Sequence, residues 1–371
     1  MASRFSRIGP FAALVVACSV RNAPPGGAPV STPPQRPPPT TGPTPATRAC
    51  VFEHLVTAVD PAPDQLQGDL LRFTEDGRTL RSFTREKVVS YDIASRQAVR
   101  SFSFAPTVEL IAVAGDGRHV LVARDQEPLQ LLDIDARAAT CLPEAMLKRV
   151  RDEQGQWETL GASLSSDASR LLRFPYSEAS VTVFDVSQRT PVASRSAEHF
   201  ALSGELEVSL TDDGGGLRWA ASRVGVWWES LGSGRLSPEY HHESKWVGAD
   251  LVLEPGSDAY GEPAQARDRI NIRSGWTGRS LGRLDRKFTL EEAFQSARGL
   301  APCGSSAVIV ATARGITLHR LPSGRTVGHW PAPRTWQSES LEGFAPVCSP
   351  RARAFAVSHL GTTVFDLPDI E

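Results

Sequence analysis

A chain of 371 residues with 40 basic and 42 acidic side chains carries a formal net charge of −2, so no global field draws it to nucleic acid or to an anionic membrane surface. The length fits two average domains or one large unit. Only four basic residues are Lys (Lys87, Lys148, Lys245 and Lys287), an Arg excess that reads as compositional background rather than as phosphate chemistry.

In chain order, Arg4 and Arg7 come first, followed by an apolar stretch from Ile8 to Ala17. The stretch is too short to span a bilayer, and residues 1–17 have the pattern of a secretory signal. Val15-Val16-Ala17-Cys18 resembles the lipobox of bacterial lipoproteins. That resemblance implies that the Cys18 thiol is acylated and opens the mature chain, making the membrane its first partner. Ser19 after it gives no Asp-type inner-membrane retention signal. The expectation is an exported protein anchored by lipid in the cell envelope, at the outer membrane of a Gram-negative cell. An ordinary signal peptide is the competing reading.

Residues 18–49 form a linker, with ten prolines from 19 to 49, among them Pro37-Pro38-Pro39, and almost no large apolar side chain. Such a composition cannot bury a core. In polyproline II it would hold a folded body up to about 90 Å from its lipid.

Residues 50–371 repeat. An apolar strand, a tight turn and an Arg recur: Val88-Val89-Ser90-Tyr91-Asp92-Ile93 before Arg96, Leu131-Leu132-Asp133-Ile134 before Arg137, and Val181-Thr182-Val183-Phe184-Asp185-Val186 before Arg189. In phase with these, Gly225-Val226-Trp227-Trp228 precedes Arg235, Ile270-Asn271-Ile272 precedes Arg279, and Ile316-Thr317-Leu318 precedes Arg325. Thr362-Thr363-Val364-Phe365-Asp366 is a seventh strand without its Arg. Turn signals such as Asp76-Gly77, Asp116-Gly117 and Asp213-Gly214 punctuate the repeats, giving about four short strands each. The chain therefore reads as all-β, a seven-bladed β-propeller, an architecture that buries both faces of every sheet and leaves short edges. Val51 to Ala58 is a strand without a repeat of its own. It is expected to pair with 362–367 and close the last blade.

Tyr91-Asp92 and Phe184-Asp185 resemble the degenerate Trp-Asp ending of WD40-like and YVTN-like propellers. The likeness covers roughly residues 50–371 and lacks both the Gly-His start and a true Trp-Asp pair. A superfamily fold leaves function open.

No nucleophile elbow, HExxH helix, P-loop or dinucleotide fingerprint occurs, so neither a catalytic residue nor a metal or other cofactor is assigned. His241-His242-Glu243 reads as a polar loop and Asp60, Asp64 and Asp69 as a solvated turn. The Asp92/Arg96, Asp133/Arg137 and Asp185/Arg189 pairs read as structural turns in which each carboxylate accepts turn N–H groups and faces its Arg.

Cys303 and Cys348 end the first strands of consecutive repeats and are a candidate disulfide; Cys50 and Cys141 remain as a second pair or as free thiols. The insertions fall in b-to-c and d-to-a connections: Pro143 to Thr159, Glu254 to Arg269, Thr289 to Arg298 and Pro331 to Glu342. They belong on one rim of the disc, where Trp157, Tyr260 and Trp336 are candidate anchors for an envelope protein or ligand. The favoured reading is a non-catalytic envelope scaffold. An exported propeller enzyme, lactonase-like or quinoprotein-like, is the alternative.

Overall fold

The structure is a computed structural model. It describes residues 50–60, 70–124, 129–143, 146, 160–175, 180–197, 206–221, 225–242, 244–255, 269–286, 299–333, 336, 345–349, 351, 353–358 and 361–368. The expected signal segment, Cys18 and the expected linker lie outside these residues.

A single 3-10 turn (Phe52–His54) leads into β1 (Val56–Val59). Blade 1 follows with β2 (Leu70–Phe73), β3 (Thr79–Phe83), β4 (Lys87–Asp92) and β5 (Gln97–Phe104). Blade 2 holds β6 (Val108–Val113), β7 (His119–Arg124), β8 (Gln130–Asp133) and β9 (Ala138–Cys141). Blade 3 holds β10 (Leu160–Leu164), β11 (Arg170–Pro175), β12 (Ser180–Asp185) and β13 (Thr190–Ser196). Blade 4 has β14 (Leu206–Leu210), β15 (Gly216–Ala221) and β16 (Gly225–Ser230). Its outer edge is an irregular segment bridged to β16 at Glu229↔Leu236 and Val226↔Tyr240. Blade 5 holds β17 (Lys245–Val247), β18 (Leu251–Pro255), β19 (Ile270–Ser274) and β20 (Ser280–Arg283). Blade 6 holds β21 (Leu300–Cys303), β22 (Ala307–Thr312), β23 (Gly315–Arg320) and β24 (Thr326–Pro331), and blade 7 ends with β25 (Ala345–Ser349), β26 (Ala354–Ser358) and β27 (Thr362–Asp366). All seven sheets are antiparallel meanders in sequence order, with β1 added outside β5.

Alternation along each strand sends side chains to both sides of a blade, and the buried residues sort into seven apolar clusters, one per blade boundary. Phe83, Val88 and Phe102 meet Val120, Val122 and Leu132 between blades 1 and 2. Trp219 and Leu217 meet Leu172 and Val183 between blades 3 and 4. The ring closes where Leu71, Phe73 and Leu80 pack on Ala354 and Ala356.

Each a–b turn, and each c–d turn of blades 1 to 6, holds a left-handed residue, and this sets the repeat. In the a–b turns it is Gly77, Gly117, Ala168, Gly214, Gly248, Gly304 and Arg353. In the c–d turns it is Arg96, Arg137 and Arg189 for blades 1 to 3, but Gly234, Gly278 and Gly324 for blades 4 to 6. The six repeated arginines are therefore not equivalent: Arg235, Arg279 and Arg325 follow the left-handed position that the first three occupy. Just before this turn the c–d register slips in blades 1, 3, 5 and 6, at Ser90/Tyr91, Val183/Phe184, Ile272/Arg273 and Leu318/His319, the signature of a β-bulge that raises local twist.

The expected closure of the last blade by the N-terminal strand is corrected. β1 pairs with β5 of blade 1, from Val56↔Phe104 to Val59↔Ser101, and the Ala105 N–H donates to the Leu55 carbonyl at 2.8 Å. Phe52, Leu55 and Val56 are buried in the cluster between blades 1 and 2, so the apolar face of this segment is spent there.

Candidate functional site

Strand direction divides the connections between two faces. Those joining a to b and c to d within a blade hold three to five residues in the regular blades. The four long ones, 142–159, 256–269, 284–299 and 332–344, join β9 to β10, β18 to β19, β20 to β21 and β24 to β25, and all leave from the opposite face.

On the short-turn face several polar groups bond one another. Thr74, Ser165 and Thr211 donate their hydroxyls to Asp76, Asp167 and Asp213 at 2.7, 2.7 and 2.6 Å. The same carboxylates accept the backbone N–H of Arg78, Ser169 and Gly215 at 3.0, 3.0 and 2.9 Å. Those backbone hydrogen bonds, with the hydroxyls, hold the Asp76 and Asp167 carboxyls below the usual range. Successive a–b turns also join through the main chain: Asp116 N–H donates to Ser166 and Ser166 N–H to Asp212, each at 2.7 Å.

The c–d carboxylates accept turn N–H groups as expected, Ser95 onto Asp92 at 2.7 Å and Gln188 onto Asp185 at 2.9 Å. Their ion pairs differ from the expected ones. Arg96 pairs with Asp366 of blade 7 at 3.0 Å, Asp133 with Arg118 at 2.5 Å and Asp185 with Arg170 at 3.1 Å. His119 bridges this network, with Nδ1 2.6 Å from Asp116 and Nε2 3.8 Å from Asp133. The hydrogen bond with Asp116 pulls the His119 pKa up against the effect of burial.

The boundary of blades 4 and 5 is an aromatic wall. Trp228 lies 5.6 Å from Tyr240 and 5.2 Å from Trp246, and Trp246 lies 5.0 Å from Trp276. Tyr240 donates its hydroxyl to the carbonyls of Ser274 and Gly275 at 2.8 and 2.9 Å. A Cβ on Gly275 would come within 2.3 Å of the Trp246 ring, so only glycine admits the indole. Arg235 sits 5.4 Å above Trp276. The sequence reading did not bring these four together; Trp228, Tyr240, Trp246 and Trp276 within one stretch of chain were the available signal.

Of the three proposed anchors, Trp157 and Tyr260 lie outside the described residues. Trp336 is corrected: it is 1% exposed and packs with Phe355 and Leu367 between blades 6 and 7, edge-on to Phe365 at 6.4 Å. A side chain so enclosed is a core residue and offers no surface to a ligand. Cys303 and Cys348 are joined, with Cα atoms 5.1 Å apart, since inner strands β21 and β25 run side by side. Cys50 and Cys141 are joined as well. His241 and His242 lie in a turn with ring centroids 4.2 Å apart. Among the described residues no three His, Cys, Asp or Glu side chains converge as metal ligands.

No family model matches the chain, and no curated protein matches it. Among solved structures, one chain in the crystal structure of the mitotic checkpoint complex is similar at a TM-score of 0.52 and 12% identity, over 85% of this chain and 95% of that one. That likeness shows the fold. Weaker likenesses are to the Cps50 (Swd1) β-propeller domain of Myceliophteria thermophila (TM-score 0.49, 10% identity, 84% and 99% covered) and to the dihydro-heme d1 dehydrogenase NirN in complex with DHE (TM-score 0.45, 17% identity, 84% and 65% covered). The chain is a seven-bladed β-propeller, and propellers host both binding and catalysis.

Proposed function

We propose that the protein is an envelope lipoprotein whose propeller is a non-catalytic scaffold, holding a protein or ligand on the face of the long connections while Cys18 carries the membrane lipid. The observation that supports this reading is the asymmetry of the disc. Apart from segment 231–244, which supplies the outer edge of blade 4, every connection of thirteen residues or more opens on one face, where a rigid scaffold presents variable loops. On the other face carboxylates and arginines are consumed in turns and ion pairs.

The anchor is tested by intact mass and membrane fractionation of the wild type and Cys18→Ala. A diacyl or triacyl mass on residues 18–371, absent from the variant, is the expected result. An unmodified, soluble wild type overturns the anchor and leaves a diffusible propeller.

A further inference from the structure

Four cross-strand partners form one row across blade 1. Arg72 on β2 lies opposite Arg81 on β3, Arg81 opposite Ser90 on β4, and Ser90 opposite Arg100 on β5. Opposed residues of an antiparallel sheet share a face. Two positions along the same strands, Leu70, Phe83, Val88 and Phe102 enter the apolar cluster between blades 1 and 2, so the row also faces blade 2. It brings three guanidiniums to that boundary, from β2 out to β5.

The inner part of the row is answered. Arg81, 4% exposed, donates from Nε to the Ser90 hydroxyl at 3.3 Å, from Nη1 to the Gly117 carbonyl at 2.8 Å and from Nη2 to the Asp135 carboxylate. A Cβ on Gly117 would lie 3.0 Å from the Arg72 Cβ, so this glycine lets the a–b turn of blade 2 rest on the row. Arg72 donates to the Leu71 carbonyl at 2.9 Å. Burial pulls the Arg72 pKa down, and the Asp212 carboxylate of blade 4 opposes that shift.

The outer part gathers charge. Arg100 and Arg137, the second from the c–d turn of blade 2, are both exposed, and their guanidinium carbons stand 5.9 and 5.8 Å from the centroid of one ring, Phe102. The carboxylates of blade 2 around them are engaged: Asp135 with Arg81, Asp133 with Arg118 and Asp116 with His119. Asp60 follows β1 beside Arg100 in register and is exposed. Among the described residues neither Arg100 nor Arg137 makes a hydrogen bond or an ion pair with a carboxylate. The ring attracts each cation but cancels no charge, so two like charges brought from two blades to one ring still repel.

We propose that Arg100 and Arg137 bind a phosphoryl group at the outer end of the boundary between blades 1 and 2, with the Arg81–Asp135 pair fixing the row behind them. Each guanidinium fork takes two oxygens of an anion. A phosphate monoester offers three terminal oxygens and close to two negative charges at neutral pH, enough for a fork from each blade, whereas a carboxylate serves one fork. A free phosphate ester and a phosphomonoester lipid headgroup share this chemistry. The site lies apart from the long connections and does not rest on what they hold.

The probe is inorganic phosphate, titrated calorimetrically at constant ionic strength into the full chain carrying Cys18→Ala, so that no acyl chain contributes. Saturable binding is expected, weakened about tenfold by Arg100→Gln and by Arg137→Gln, with acetate binding far more weakly. Arg189→Gln removes the equivalent exposed charge from the c–d turn of blade 3 and is expected to leave binding unchanged. Vesicles of phosphatidylcholine with and without phosphatidic acid separate the two sources. Co-sedimentation that needs phosphatidic acid and both arginines assigns the site to a headgroup; phosphate binding without co-sedimentation assigns it to a free ester. Absence of saturable phosphate binding would overturn the proposal. So would binding undiminished in Arg100→Gln and Arg137→Gln, an equal loss in Arg189→Gln, or acetate bound as tightly as phosphate.

Discussion

Cys50 is bonded to Cys141 with Cα atoms 5.5 Å apart, so the start of the propeller is tied to the outer strand of blade 2, one blade beyond the sheet that β1 extends. Any pull along the N-terminal segment meets this bond and the β1–β5 ladder before it reaches a blade core.

The bond closes a separation of 91 residues. On the chain-entropy account that restraint is worth roughly 4.6 kcal/mol. The Cys50→Ser, Cys141→Ser double variant is expected to lose stability of that order in urea unfolding, with exchange at 56–59 accelerating first. Unchanged exchange at β1 would show that pairing alone holds the strand.

Turn chemistry gives two opposed predictions. Arg189 is exposed at a φ of 57°, a conformation that costs a side-chain-bearing residue about 1 kcal/mol, so Arg189→Gly is expected to be neutral or to raise the melting temperature. At Gly324, φ is 73° and a Cβ would approach the Arg283 carbonyl oxygen to 2.0 Å. Gly324→Ala is expected to cost about 2 kcal/mol or more. Equal effects at the two sites would refute the assignment of left-handed positions.

His319 is fully buried on β23, with Nε2 3.0 Å from the Thr317 hydroxyl and Nδ1 3.2 Å from the Gly324 carbonyl and 3.4 Å from Asp285. Burial lowers its pKa despite Asp285, and Arg286 nearby lowers it further. The unfolded chain therefore takes up the proton first, near the ordinary value of about 6.5. The stabilisation is complete above that value and falls as pH drops toward the folded pKa. His119, raised by its bond with Asp116, acts in the opposite sense: its contribution is full below about 6.5 and is lost as pH rises through the raised folded value. Urea unfolding of His319→Gln at pH 7 and pH 5 is expected to show a smaller acid loss than the wild type. An equal loss would place the acid sensitivity elsewhere.

Trp336 and Trp228 are both enclosed, at 1% and 2% exposure. Trp336→Ala and Trp228→Ala are each expected to cost about 3–5 kcal/mol. Selective loss of ligand binding by Trp336→Ala at unchanged stability would contradict its place in the core.

Much of the fold was legible because each blade repeats the same turn requirement. The spacing from Arg96 to Arg325 tracks the c–d turns even though two different positions carry the Arg. Edge pairing was not legible: Val51 to Ala58 has the pattern of a strand whichever blade it joins, and Phe52 and Leu55, buried against Phe102, decide for blade 1. Burial within a connection was equally hidden, since Trp336 lies in a Pro-flanked insertion and is enclosed by the cluster that blades 6 and 7 build together. The aromatic wall depends on Gly275, whose missing side chain is informative only once the Trp246 ring is placed.

The scaffold reading turns on which face of the disc meets a partner, and in-cell photo-crosslinking measures that directly. A benzophenone amino acid replaces Glu86 or Ala313, exposed on the long-connection face, and Gly232 or Gln188, exposed on the short-turn face. Discrete adducts from the first pair and none from the second are predicted. Adducts only from Gly232 or Gln188, or none from any position in membrane-bound protein, would contradict the account.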